Sequence, residues 1–299
     1  MFKKILAAFI MLFTLSAWSA ERISIVWGFA AGSNQANFYR AMVNELNSMQ
    51  NKYEFVFENR QGAGGAVAGR YVLANADHAI FGGTSTFFLR SQFDTQTGYS
   101  TSEFKPVCVQ TLGAPLVLLS RKYTDLKSFN NRGGTVSVSG FGSSSHLVAS
   151  ILQEQDPTVR IVNYTTLVDA NKDVMGQHID AGWNFYADVD KLIESGTAHG
   201  LALTGKHSLN GVPTFKQVGV NGFEELTSNT AMFVSAKMPE DKAKELHELL
   251  RKVNNLPAIH EFYAREYSHP ADFDYEQTKQ WYIKQEVFWT VQSRKIRPF

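Results

Sequence analysis

The sequence predicts an α/β protein of two domains, each a mostly parallel sheet flanked by helices. Three observations carry this. Short runs with strand character alternate with stretches of helical period. Each of the first three strands ends in a Gly, Ser or Thr loop that opens onto a helix, the pattern of a layered α/β sheet. A second series of the same kind begins after Pro115, and 299 residues are enough for two cores.

The first strand covers residues 23–26 and runs into a small-residue loop, Trp27-Gly28-Phe29-Ala30-Ala31-Gly32-Ser33-Asn34. Residues 35–49 follow as a helix, with Phe38, Met42, Leu46 and Met49 at helical spacing. A second strand at 53–57 leads through Glu58-Asn59-Arg60-Gln61-Gly62-Ala63-Gly64-Gly65 into a helix near 65–75. A strand, a Gly-rich turn and a helix N-terminus form an anion-binding arrangement, because free backbone N–H groups point outward there. The nucleotide version fails: the G-x-G-x-x-G spacing breaks at Val67. The third strand, 78–81, ends at Gly82-Gly83-Thr84-Ser85-Thr86. Binding loops in such folds lie at the C-terminal ends of the strands.

In the second series, strands are read at 135–139, 159–164, 179–183, 201–204 and 230–235. Gly140-Phe141-Gly142-Ser143-Ser144-Ser145 opens a helix near His146. A long amphipathic helix covers about 239–254, and an aromatic-rich helix with Trp281 and Trp289 covers 275–293. There is no fixed-period repeat and no low-complexity linker, which favours domains joined by crossing strands.

Residues 1–20 have the parts of a secretory signal: Lys3 and Lys4, an apolar run from Ile5 to Leu15, and small residues around a cut after Ser19 or Ala20. The run is short of the roughly 20 apolar residues a spanning helix needs. The expectation is an exported, periplasmic protein that does not span the membrane. The formal net charge is +1, and loss of the two signal lysines takes it just below zero. With no basic run, nucleic acid is excluded as a partner. Cys108 is the only cysteine, so no internal disulfide forms. Its neighbours Val107 and Val109 make it a buried strand position with an inert thiol.

Enzyme chemistry finds no support. H-E-x-x-H, paired His at metal spacing and C-x-x-C are all missing, so neither a metal nor a cofactor is expected. The serine run lacks the G-x-S-x-G elbow.

Several of these pieces resemble one family, the periplasmic solute-binding proteins of tripartite tricarboxylate transporters, also called Bug or TctC-like proteins. Phe29-Ala30-Ala31-Gly32-Ser33 is similar to its F-x-A-G-G loop, and residues 58–65 match E-N-R-x-G-A-G-G in full. Gly83-Thr84-Ser85 matches G-T-S, and Glu103-Phe104-Lys105-Pro106-Val107 is similar to D-F-x-P-V. Residues 139–147 approximate a G-S-x-G-x-G-S-x-x-H-L loop, and Val212-Pro213-Thr214 a D-V-P-T turn. The ordered set spans nearly the whole chain after the signal.

The resemblance implies a periplasmic-binding-protein-like clamp that closes on a small organic anion, a di- or tricarboxylate. Two connections would cross between the domains, near 115–122 and 229–236. Domain I would be 21–120 plus 236–299, and domain II 121–235. The partners implied are membrane transporter subunits of the tripartite tricarboxylate type, with the receptor itself a monomer. Two alternatives stay open: a sensor feeding a membrane signalling kinase, and an exported α/β hydrolase.

The departures from the family pattern concern the pocket. Its second loop Gly is Ser33, a common Asp is Ala36, and the Asp of D-V-M-F-D is Asn184. An aromatic pair before the second crossover aligns with Asn229 and Thr230. These imply a more polar, less aromatic pocket, with less to hold an ammonium group.

The candidate contacts fall in four places. Phe29, Ala30, Ala31 and Gly32 form one loop, where small residues let backbone N–H groups approach an anion. Thr84, Ser85 and Thr86 add hydroxyl donors. Ser143, Ser144, Ser145 and His146 sit at a helix start, where Ser also serves as an N-cap. Tyr164, Thr165 and Asn184 stand at strand ends expected to face the cleft. The Gly62–Gly65 turn is expected to shape the domain rather than to hold ligand.

Overall fold

The computed structural model describes residues 20–93, 97–130 and 133–296. The export signal read over residues 1–20 lies, apart from Ala20, outside them.

The chain opens with β1 (Glu21–Trp27), α1 (Asn34–Met49), β2 (Tyr53–Asn59), a 3₁₀ turn (Ala63–Gly65), α2 (Ala66–Ala74), β3 (Ala79–Thr84) and α3 (Ser85–Phe93). Helices cover both faces of β1, although Arg22 and Ser24 share one of them with Val26. Ile23, Ile25 and Trp27 pack in one core with Met42 and Leu46 of α1, while Val26 packs in the other with Ala68 and Val72 of α2. Ser33 caps α1: its Oγ accepts from the Ala36 N–H at 3.2 Å. The family's second glycine is thus replaced by a cap.

A 3₁₀ turn (Thr101–Glu103) leads into β4 (Phe104–Ala114), a long strand with Cys108 buried at 2 % exposure. After Pro115 come β5 (Leu116–Ser120), α4 (Leu126–Asn130), β6 (Thr135–Val138), α5 (Ser144–Gln155) and β7 (Arg160–Asn163). Next are α6 (Leu167–Met175), β8 (Ala181–Phe185), α7 (Tyr186–Glu194) and β9 (His199–Leu203). The chain returns through β10 (Ser228–Ser235), then α8 (Glu240–Asn254), α9 (Pro257–Arg265), β11 (His269–Pro270) and α10 (Tyr275–Ser293).

Two sheets result, in orders β11-β4-β10-β3-β1-β2 and β7-β6-β8-β5-β9. Both are mixed. β1 is parallel to β2 and β3, and β6 to β7 and β8. The remaining pairs are antiparallel, because β4, β5 and β10 are the segments by which the chain leaves one sheet and re-enters the other. β5 hydrogen-bonds in the second sheet and β10 in the first.

The two crossing routes are stitched together. Thr111 and Thr230 share a hydroxyl hydrogen bond at 3.2 Å and the Gly113 N–H donates to Asn229 Oδ1 at 3.0 Å, while the Leu116 N–H donates to Thr204 Oγ1 at 2.9 Å and ties β5 to the end of β9. The second sheet is anchored by Trp183, which stacks with Phe215 at 5.4 Å and Phe223 at 6.1 Å between ring centroids. Such aromatic pairs add about 0.5–1.5 kcal/mol beyond area burial.

Candidate functional site

The sheets meet where α3 approaches α5. Thr86 Oγ1 lies 3.3 Å from Ser144 Oγ, and both residues are buried. Thr86 is in the first turn of α3 and Ser144 in the first turn of α5, so two helix N-termini converge. Each carries partial positive charge, roughly half an elementary charge for a full helix, and first-turn N–H groups that lack a carbonyl four residues back. Uncompensated, two such ends repel; an anion beside them is stabilised by both.

Local sequence explains how the α5 end is built. Gly140 and Gly142 have φ of +99° and +69°, which turns the loop tightly after β6. Ser143 is the N-cap, accepting from the His146 N–H at 3.1 Å and donating to the Gly140 carbonyl at 2.8 Å. Ser145 turns inward, its Oγ accepting from the Ser139 N–H at 3.0 Å. His146 is fully buried: its Nδ1 accepts from the Gly142 N–H at 3.2 Å and its ring lies 5.1 Å from that of Phe141. Ser143, Ser145 and His146 therefore shape the loop, and Ser144 reaches across.

The α3 end is built similarly. Thr84 Oγ1 accepts from the Thr86 N–H at 3.3 Å. Ser85 is 1 % exposed, and its Oγ accepts from the Asn229 N–H at 3.1 Å. It joins α3 to the returning strand.

Ala30, Ala31 and Gly32 are exposed, while Phe29 is half-buried. The E-N-R motif holds this loop. Asn59 Nδ2 donates to the Trp27 carbonyl at 3.2 Å and to the Phe29 carbonyl at 2.8 Å. Glu58 accepts from Ser24 Oγ at 2.6 Å and from Arg60 Nε at 3.0 Å, and the Arg60 guanidinium lies 3.5 Å over the Tyr71 ring. Burial pushes the Glu58 carboxyl up, but the Ser24 and Arg60 hydrogen bonds outweigh it and hold it below the usual range. Gly65 gives the Phe29 ring its seat, since a Cβ there would stand 3.3 Å from the ring edge.

Among the described residues no hydrogen bond ties Tyr164, Thr165 or Asn184 to this junction. The Tyr164 hydroxyl donates to Asp173 Oδ2 at 2.5 Å, and Asn184 Oδ1 accepts from Asn171 Nδ2 at 2.8 Å. Both side chains are tied to α6 within the second domain. Thr165 is exposed in the turn before α6.

Two features escaped sequence reasoning, and a third, Asn229, reads there only as a polar pocket position. Arg90, one turn beyond Thr86, donates from Nη1 to the Phe141 carbonyl at 2.7 Å; its signal was a cation closing the apolar run Phe87-Phe88-Leu89. Asn229 binds Gly113 through Oδ1 and Gln285 through Nδ2, at 3.0 and 3.2 Å. Finally, Glu266 and Asp188 lie close enough for their charges to interact, beside Asp190 and Asn34. Burial first, then the Asp188 charge, pushes the Glu266 carboxyl up to about 7. Burial and Asp190 push Asp188 up to about 6. Asp188 keeps exposed surface whereas Glu266 is half-buried, so Glu266 carries the larger effect. The Tyr267 hydroxyl donates to Asp190 at 3.1 Å and its ring packs on Tyr186 at 4.8 Å, closing this side of the seam.

Two cavities lie elsewhere. One of about 450 Å³ is bounded by α4 and by residues such as Leu201 and Pro213; another of about 520 Å³ lies against Glu58 and His78. Neither touches a candidate contact. Among the described residues no group of His, Cys, Asp and Glu side chains is arranged to hold a metal, and no helix is long and apolar enough to cross a membrane.

The comparisons bear on the family and the fold. The family described as the tripartite tricarboxylate transporter family receptor matches residues 42–290. The chain belongs to that family. Its members are solute receptors and not enzymes, and this chain is a receptor of that kind. The solved structure of the periplasmic binding protein BugD superposes with a TM-score of 0.80 at 20% identity, covering 92% of this chain and 97% of that one. A Rhodopseudomonas palustris protein solved with adipate gives 0.81 at 19% identity, covering 92% and 97%. MatC from the same organism, with bound malate, gives 0.79 at 18% identity, covering 91% and 98%. No curated protein sequence matches the chain.

Proposed function

We propose that this receptor captures a small organic anion, a di- or tricarboxylate, at the seam between its two domains. The observation that carries the reading is the head-to-head approach of α3 and α5, bridged by Thr86 and Ser144. A carboxylate there receives first-turn N–H groups and hydroxyls from both domains. Charge-assisted hydrogen bonds contribute about 1.5–3 kcal/mol each, so a handful supplies the roughly 8 kcal/mol of micromolar binding after association costs. The bound adipate and malate of two structural neighbours support a carboxylate ligand.

Because both domains contribute donors, ligand favours the closed arrangement through contacts made only there. The closed monomer then delivers its cargo to membrane subunits of a tripartite tricarboxylate-type transporter. Residues 1–20 direct export to the periplasm and are removed. The domains expected at 21–120 with 236–299 and at 121–235 are kept except at the crossings, where β5 pairs in the second sheet and β10 in the first, which favours ending the first domain at β4 and resuming it at β10.

A thermal-shift panel tests the reading. Succinate, malate, adipate and citrate are compared with neutral amides and amines of similar size. At 100 times its dissociation constant a ligand stabilises by about 2.7 kcal/mol. A shift from one or more carboxylates, absent with the amides, is expected. A response confined to neutral or cationic compounds rejects it.

A further inference from the structure

Among the described residues, Arg90 is the only arginine or lysine that is buried, at 9 % exposure. It lies four residues beyond Thr86, on the same face of α3. That face reaches the second domain at two successive turns: Thr86 meets Ser144, and Arg90 Nη1 donates to the Phe141 carbonyl at 2.7 Å. Phe141 sits in the loop that leads to the N-cap Ser143, and its ring packs on the buried His146.

The Gly-rich turn is shaped around the same guanidinium. Gly64 has φ of +58°, and a Cβ there would lie 2.8 Å from both Cδ and Nη1 of Arg90. A Cβ on Gly140 of the opposite loop would stand 4.0 Å from Nη1. The arginine thus runs from α3, past the 3₁₀ turn of the first domain, to a main-chain carbonyl of the second. A main-chain carbonyl fixes loop position whatever side chain the loop carries, and the planar guanidinium suits a fixed donor direction.

We propose that Arg90 is a positioning residue for ligand capture, a latch that holds the Phe141 loop, and with it the N-terminus of α5, against α3. It rests on the reading that the α3–α5 junction receives the ligand. The latch acts in the closed arrangement, so its loss speeds release more than it slows capture, as interface changes do in general. The Gly64 seat makes the first domain's Gly-rich turn part of the device without touching ligand.

The experiment uses the full chain without its signal, with Arg90→Gln and Arg90→Lys variants and Ser144→Ala as the direct-contact control. Succinate, malate, adipate and citrate are titrated singly by stopped-flow protein fluorescence, and ligand-free proteins are measured by small-angle scattering. For Arg90→Gln the expected result is dissociation faster by about 10- to 100-fold, the equivalent of losing a hydrogen bond from a charged donor, with association within about threefold of wild type. Its ligand-free radius of gyration rises, and Arg90→Lys, with a single donor head, falls between. A merely structural role lowers the urea midpoint without splitting the two rates. Unchanged dissociation and scattering in Arg90→Gln overturn the latch, even if Ser144→Ala weakens binding. If no carboxylate binds the wild type, the carboxylate reading falls, and scattering alone decides the latch. If Arg90→Gln does not fold, Arg90→Lys decides: dissociation within about twofold of wild type rejects the proposal.

Discussion

Thr86 Oγ1 and Ser144 Oγ stand 3.3 Å apart, joining the first turns of two helices that belong to different sheets. One of the two spends its only proton on this bond, and in the proposed site the other is left to donate to an anion at the helix ends. Removing either one costs about 1 kcal/mol of ligand affinity, or roughly a fivefold rise in dissociation constant. The pair does not add. Thr86→Val and Ser144→Ala together fall short of the summed single effects by about 0.5 kcal/mol or more, because each single change already breaks the shared bond. A double-mutant cycle by calorimetry with whichever carboxylate stabilises the wild type measures this. Strict additivity would place the two hydroxyls in separate sites.

The fold was legible in the sequence because both faces of β1 and β3 are covered, which writes apolar runs, and because Gly and Ser punctuate each βα turn. The crossing strands were legible only as positions: that β4, β5 and β10 run antiparallel to their neighbours follows from which sheet each joins, and no local pattern encodes it. α9 was missed although Pro257 opens it and Ile259 and Tyr263 have helical spacing, since at nine residues its signal is short. In the site, the Ser143–Ser145 run announced a helix start. It did not say which hydroxyl reaches across, because residues 144–152 of α5 are all buried and leave no exposed face to orient them. Tyr164 and Asn184 illustrate the same limit: a strand end fixes a place, while Asp173 and Asn171 on α6 fix where the side chains go.

Asn229 ties the crossing routes together. Its Oδ1 accepts from Gly113 at the end of β4, and its Nδ2 donates to Gln285 of α10. Asn229→Ala removes both bonds and leaves the Gly113 N–H without this acceptor. A loss of about 1–3 kcal/mol follows, measured as a lower urea midpoint with unchanged slope. Asn229→Asp keeps the acceptor for Gly113 and sets a carboxylate beside Gln285 Oε1, so it recovers part of the loss. Equal stability of the alanine variant and wild type would remove Asn229 from the hinge.

Cys108 is the only cysteine and is 2 % exposed on β4. Burial pushes its thiol up to about 12, against a smaller opposing effect of the Arg251 charge. The thiolate is the reactive form, so the native protein is inert at neutral pH. An aromatic disulfide reagent titrates no thiol in the folded protein and one in guanidinium chloride. Reaction of the native protein at the rate of a free thiol would contradict the buried position.

Glu266 makes stability depend on pH in a direction opposite to that of an ion-paired carboxylate. Its folded carboxyl titrates at about 7, raised by burial and by Asp188 of α7, with Asp190 and the Tyr267 hydroxyl close by and Asn34 of α1 as a hydrogen-bond partner. The unfolded chain releases this proton in the ordinary carboxylate range. Between that range and about 7 the folded state holds the proton and the unfolded state does not, so stability falls as pH rises across the window and levels off above it. Glu266→Gln removes the penalty. The difference between variant and wild type is therefore smallest near pH 4 and grows in the variant's favour up to about pH 8. Urea unfolding of both proteins across that range reads it directly, and Asp188→Asn lowers the slope in part, because Glu266 stays buried. Stability curves for wild type and Glu266→Gln that remain parallel from pH 4 to pH 8 would show that the fold does not raise the Glu266 carboxyl.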